Sequence, residues 1–171
     1  KMTSKLTKIN ILPKNQFFSF FDLKFIIRKS SPDNADFDVL VFCLRDVKKI
    51  KIPSFIKRIS SYAFSCCQIQ QIEFSKNSEL NSIEKNAFSF SSIKNFHIPF
   101  QVTKICKKTF YYCNHLIKVE IPMNSKIEII EKNAFSLSSI ESIFIPFHVK
   151  TIKEAAFCSC KKLRKVEIQA N

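Results

Sequence analysis

The sequence predicts a mainly β solenoid, in which short strands, turns and one-turn helices wind into about seven rungs of 22–24 residues. The first observation behind this is a long internal duplication. Residues 74–121 fall on 121–168 after a shift of 47, with 24 of 48 positions identical and no gap. Glu84-Lys85-Asn86-Ala87-Phe88-Ser89 recurs as Glu131-Lys132-Asn133-Ala134-Phe135-Ser136, and Ile98-Pro99-Phe100 as Ile145-Pro146-Phe147. The second is a shorter period inside the first, of the form apolar-x-x-apolar-x-apolar. It occurs at Val47/Ile50/Ile52, Ile69/Ile72/Phe74, Ile93/Phe96/Ile98, Leu116/Val119/Ile121, Ile140/Ile143/Ile145 and Leu163/Val166/Ile168. The starts are 22, 24, 23, 24 and 23 residues apart. The third is that three further landmarks keep the same register, as follows.

Each copy opens on a strand. Its last two apolar residues are separated by one polar residue, the alternation of a strand with one buried face. A second apolar edge follows at Ile56/Ile59, Leu80/Ile83, Val102/Ile105, Ile127/Ile130 and Val149/Ile152. Four or five residues later a small residue precedes phenylalanine: Ala63-Phe64, Ala87-Phe88, Thr109-Phe110, Ala134-Phe135 and Ala156-Phe157. Three residues on comes a small residue again, at Cys67, Ser91, Cys113, Ser138 and Cys160.

The spacing lies in the range of leucine-rich repeats. The composite of strand, Pro-led turn, short edge, Ala-Phe and small residue resembles the BspA-like leucine-rich repeats over about residues 47–168. One departure is visible. The family usually places Gly after the second edge, where this chain has Ser60, Glu84, Cys106, Glu131 and Lys153. The resemblance implies surface display and, in some members, attachment to host or matrix proteins. Cell-surface or secreted localisation rests on it alone, and a cytoplasmic location is equally compatible with the residues.

Residues 47–171 thus form the regular array and residues 1–46 a partial rung with an irregular repeat. An earlier copy of the strand pattern sits at Leu6/Ile9/Ile11. Between it and Val47, Lys24–Arg28 and Asp38–Cys43 read as strands around a turn at Ser30-Ser31-Pro32-Asp33-Asn34. Phe17, Phe18, Phe20, Phe21 and Phe25 are dense enough to seal one side of the stack; an exposed aromatic patch is the alternative. The strand patterns at both ends lack caps, so the chain reads as a segment of a longer array.

Composition excludes several functions. With Gly absent, neither a phosphate-cradling loop nor a dinucleotide fingerprint can be built. No apolar run approaches the ~20 residues of a membrane helix, and residues 1–10 lack the apolar centre of a signal peptide. Cys67, Cys113 and Cys160 recur two rungs apart, about 9–10 Å, too far to pair with one another, and read as small buried residues. His97, His115 and His148 share no face and read as surface residues rather than metal ligands. No nucleophile–base–acid set recurs. The chain reads as a non-enzyme, calling for no cofactor, and as a monomer.

Function belongs to the strand face. Between and before the inward apolar pair run two ladders: Lys51, Glu73, His97, Glu120, Phe144 and Glu167, then Lys49, Gln71, Asn95, Lys118, Ser142 and Lys165. These form a mixed polar surface with Phe144 as an aromatic anchor for a protein or glycan ligand. A net charge of +14 adds a second candidate, a basic edge of Lys57, Arg58, Lys104, Lys107, Lys108, Lys150, Lys153, Lys161, Lys162 and Arg164. Such an edge attracts anionic glycans, lipid heads or nucleic acid without sequence preference; no specific nucleic acid is expected. A structural spacer that binds nothing is the remaining alternative.

Overall fold

The computed structural model describes residues 8–170. Its strands are β1 (Phe18–Phe21), β2 (Phe25–Arg28), β3 (Val39–Cys43), β4 (Lys49–Ile52), β5 (Arg58–Ile59), β6 (Gln71–Phe74), β7 (Ser82–Ile83), β8 (Asn95–His97), β9 (Lys104–Ile105), β10 (Lys118–Glu120), β11 (Ile129–Ile130), β12 (Ser142–Ile145), β13 (Thr151–Ile152) and β14 (Lys165–Ile168). The even strands from β4 to β14 stand side by side as one column of a solenoid. β5, β7, β9, β11 and β13 form the second column. Parallel pairing keeps like residues level: Ile50 meets Ile72, Val119 meets Phe96, and Ile143 meets Val166.

The core is therefore a set of vertical files. The Ala-Phe positions supply the thickest. Phe64, Phe88, Phe110, Phe135 and Phe157 stack ring upon ring, with centroids 4.9, 5.5, 5.4 and 5.2 Å apart. One backbone hydrogen bond per rung holds this file in register, from Phe64 N–H to Ala87 O (2.8 Å) through Phe135 N–H to Ala156 O (2.8 Å). Beside it, Cys67, Ser91, Cys113, Ser138 and Cys160 are buried as expected. They are not inert: the Cys113 and Cys160 thiols each donate to the carbonyl of a Phe one rung away, Phe88 and Phe135, at 3.0 Å. Burial pushes the Cys113 thiol up to about 12 and raises that of Cys160 as well. Only Cys158 among the seven is exposed. A thiol reagent is thus expected to modify Cys158 rapidly, and Cys43, Cys67, Cys113 and Cys160 only after denaturation; rapid loss of all seven would contradict this packing.

The turns differ from expectation. No one-turn helix occurs among the described residues; the Ala-Phe segments are successive tight turns, such as Ala63 N–H to Ser60 O and Ser65 N–H to Tyr62 O. Two left-handed residues in each rung interrupt a helical run: Tyr62 and Cys66, Asn86 and Phe90, Lys108 and Tyr112, Asn133 and Leu137, Ala155 and Ser159, all with φ between 54° and 63°. Ser60, Glu84, Cys106, Glu131 and Lys153 are not among them. The left-handed step falls two residues later than the family's glycine. The Glu84 carboxylate accepts from the Ser61 N–H and hydroxyl (both 2.9 Å), and Glu131 accepts from the Lys107 N–H (3.0 Å). Glutamate, in the two rungs that carry it, ties its rung to the one before. Because left-handed backbone costs a non-glycine residue roughly 1–2 kcal/mol, offset by about 0.5–1 of glycine entropy, Ala155→Gly is expected to stabilise slightly. A lower melting temperature for that variant would contradict the assignment.

The irregular repeat is a three-stranded extension. β2 and β3 pair antiparallel around the predicted turn, within one residue of the expected bounds. β3 then joins the second column by pairing parallel with β5. β1 was not anticipated. It pairs antiparallel with β2 through a three-residue loop of Asp22, Leu23 and Lys24, the first two at φ 49°. Phe25 is fully buried and Phe21 packs on it at 5.1 Å, so these two seal the stack, whereas Phe17 and Phe18 face outward. Asp38 is buried in this repeat and accepts the Ser30 N–H at 2.8 Å. Of the predicted partial rung, Leu6 lies outside the described residues, and Ile9 and Ile11 are half-buried without a strand. Among the described residues the first column accordingly holds six strands. At its last rung Ile152, Val166 and Ile168 are 41, 43 and 65% exposed, whereas Ile130, Ile143 and Ile145 one rung earlier are buried. Each rung hides its apolar edge only against a neighbour on both sides.

Candidate functional site

The strand face carries the predicted ladders. Every one of Lys49, Lys51, Gln71, Glu73, Asn95, His97, Lys118, Glu120, Ser142, Phe144, Lys165 and Glu167 is exposed, because alternation turns the intervening residues outward. Pairing sets Lys49 beside Gln71 and Lys51 beside Glu73. Asn95, Lys118, Ser142 and Lys165 then follow in line, as do His97 with Glu120 and Phe144 with Glu167.

These ladders are not continuous. β4 and β6 form one sheet and β8, β10, β12 and β14 another, with no ladder joining β6 to β8; the second column parts at the same level, between β7 and β9. The sequence explains the parting on the strand face. Other strands place Ile or Val at their two inward positions, but β6 ends in Phe74 and β8 centres on Phe96. The two rings meet edge to face at 5.7 Å, and Phe96 is further held at 5.0 Å by both Phe88 and Phe110. The pair acts as a wedge. Ile72 and Phe74 stay half-buried, unlike Ile50 and Ile52, and a groove of about 600 Å³ opens at the parting.

Electrostatics on the face are local. Lys118 reaches Glu120 at 2.6 Å and Lys165 reaches Glu167 at 2.8 Å, each pair two residues apart on one strand. His97 adds a 3.3 Å contact to Glu120. The Lys118 hydrogen bond first, and His97 second, hold the Glu120 carboxyl below its ordinary range. A depressed carboxylate contributes stability that is present above its unfolded value and lost as pH falls through the folded one. Exposure keeps that contribution small. Lys118→Gln is expected to raise the Glu120 titration midpoint, read by side-chain NMR; an unchanged midpoint would show the pair to be unformed in solution.

Half of the basic edge is paired with carboxylates. Lys57 lies 3.7 Å from Glu79, Arg58 3.9 Å from Glu84, Lys150 2.8 Å from Glu128, and Lys104 and Lys153 each 3.8 Å from Glu131. Lys108 sits 4.9 Å over the Tyr111 ring. Lys107, Lys108, Lys161, Lys162 and Arg164 have no carboxylate partner among the described residues. The edge is therefore a row of inter-rung ion pairs with cations left over, not one cationic strip. His115 is exposed, and His148 contacts the Ser125 hydroxyl at 3.1 Å.

Sequence reasoning passed over the wedge and Lys94 beside it, although Phe74 and Phe96 were visible as the bulky members of otherwise aliphatic files. It also passed over Cys43, whose backbone takes the Phe position of the irregular repeat, donating from its N–H to Ala63 O at 2.9 Å.

Residues 38–164 match the model of the BspA type leucine-rich repeat region, in six copies. The chain belongs to the BspA-type leucine-rich repeat family. This BspA-type array is similar to the crystal structure of the pneumococcal vaccine antigen PcpA, with TM-score 0.70, 30% identity, and coverage of 74% of this chain and 31% of that one. It shares its fold with a leucine-rich cell surface protein of Faecalibacterium prausnitzii (TM-score 0.55, 19% identity, 88% of this chain and 52% of that one). A leucine-rich repeat protein of Bacteroides ovatus is similar to a like degree (0.57, 20% identity, 88% and 51%). The BspA-type chain spans about a third to a half of the length of these structures. No curated protein sequence matches it.

Proposed function

We propose that the chain is a non-catalytic recognition scaffold, displayed at a cell surface, whose strand face binds a protein or glycan ligand. The observation that carries this reading is the four-stranded face of β8, β10, β12 and β14. It presents exposed polar ladders around Phe144, an aromatic ring 39% exposed where its neighbours are polar. A rigid sheet with one aromatic anchor suits a partner surface, since each rung adds a contact without ordering cost. Resemblance to a cell surface protein and to a vaccine antigen supports the location. No helix among the described residues is long and apolar enough to cross a membrane.

The test uses the purified chain on beads, offered extracellular matrix proteins and glycans. A ligand retained by the parent chain is expected to lose at least tenfold in affinity for the variant Phe144→Ala/Lys118→Gln/Lys165→Gln, which melts like the parent. Undiminished binding by the variant would remove the strand face from the function, and absence of any ligand would favour a spacer.

A further inference from the structure

We infer that the groove wedged open between β6 and β8 is a subsite for a carboxylated pyranose, a uronic-acid-type unit of a glycan. This deepens the reading of the strand face and rests on it. The groove is a built feature rather than a surface irregularity. Two phenylalanines meet where β6 and β8 lack the ladder that joins the other strands of this face, only the Lys94 N–H to Gln70 O bond spanning the parting, and the opening exposes part of Ile72 as an apolar floor beside Phe96.

Its walls are cationic. Lys49 and Lys94 both line it, and among the described residues neither ammonium has an ion pair, hydrogen bond or ring partner. Across the groove Glu120 is already paired with the Lys118 ammonium at 2.6 Å. The excess charge facing the groove is positive, and an anion there would meet two ammoniums with no carboxylate to displace. Gln70 and Asn95 add amides that both donate and accept, the pairing that adjacent sugar hydroxyls require.

The size and the strand spacing select a sugar over a peptide. About 600 Å³ is within the range of small-ligand sites. An inserted peptide strand would need its neighbours about 10 Å apart, two strand spacings. β6 and β8 are closer than that, since at the head of the groove the Lys94 N–H still donates to Gln70 O at 3.2 Å. A pyranose instead lays its C–H face on Ile72, turns its hydroxyls to the amides and its carboxylate to Lys49 and Lys94.

The experiment titrates the chain with methyl β-glucuronide, and with methyl β-glucoside, the same ring carrying CH2OH in place of the carboxylate. Backbone and side-chain NMR shifts report the position. The glucuronide is expected to perturb Lys49, Lys94 and Asn95 together and to bind at least tenfold tighter than the glucoside. Lys49→Gln/Lys94→Gln is expected to erase that difference. Phe74→Ile/Phe96→Val, which replaces the wedge by residues of the neighbouring strands, is expected to close the groove; the lysine variant keeps the test open if that one misfolds. Phe144→Ala/Lys165→Gln lies outside the groove and is expected to leave the glucuronide unaffected. Equal binding of the two sugars, or no shift at Lys49 and Lys94, overturns the subsite. So does a tetra-aspartate peptide that shifts these residues when the glucuronide does not. Loss of the glucuronide in the Phe144 variant alone also overturns it, but leaves the strand-face reading standing.

Discussion

Phe135→Ala is expected to lower stability by about 3–5 kcal/mol, measured by urea or thermal unfolding. The ring is fully buried and lies between two others, Phe110 at 5.4 Å and Phe157 at 5.2 Å. Truncation removes the transfer energy of a benzyl group and leaves a hole in a file whose members are fixed by the hydrogen bonds of their own backbones. The rungs above and below cannot collapse into it, because each is held at strand spacing by pairing to the Phe135 rung itself, β8 and β12 to β10 and β9 and β13 to β11. Phe157→Ala makes the internal control. That ring is only half-buried, and no ring beyond Phe135 stacks on it among the described residues, so its loss should cost distinctly less. Because coupling in such an array runs between neighbours, the Phe135 variant should also loosen the amides of the adjoining rungs first. Equal costs at the two positions would mean that the rings do not form a graded stack.

Glu131→Gly is the second large effect, and its direction is the informative part. Glycine is the family's usual residue at this place, and restoring it is expected to destabilise the chain by about 2–3 kcal/mol. Glu131 is a cross-rung tie: it takes the Lys107 N–H at 3.0 Å and lies 3.8 Å from both Lys104 and Lys153. A charge-assisted hydrogen bond to a partly buried carboxylate is worth more than a neutral one. The backbone there needs no glycine, since the left-handed residue is Asn133. Glu131→Gln keeps a side-chain acceptor and is expected to recover part of the loss. A glycine variant at least as stable as the parent would show that the tie contributes nothing and that the turn is under strain.

What could be read from residues alone follows from what repeats. The strand column, the second edge and the Ala-Phe file recur often enough that their period shows through, and the exposed ladders follow from strand alternation. Six copies make a weak local signal strong. The unrepeated parts were hidden for the same reason. β1 has phenylalanine on both faces, so the two-residue alternation that marks a strand is absent from Phe17 to Phe21. The Ala-Phe turns suggested single helical turns, because nothing in the sequence of a glycine-free chain announces left-handed residues at Tyr62, Phe90 or Leu137. The parting of the sheets needs two bulky residues to fall on facing strands, a relation between Phe74 and Phe96 that a per-rung pattern treats as mere apolar equivalence. The basic edge was legible in composition but not in pairing. Its lysines are interleaved along the chain with Glu84, Glu128 and Glu131, and stacking decides which carboxylate of another rung each one meets.

The layered winding and its one interruption are tested together by backbone NOEs across the strand face. Cross-strand contacts are expected from Lys118 to both Asn95 and Ser142, and from Ser142 to Lys165, with Lys49 meeting Gln71 and no ladder contacts from Gln71 to Asn95. A spectrum in which Lys118 meets neither Asn95 nor Ser142 would contradict the stacked rungs on which the recognition surface depends.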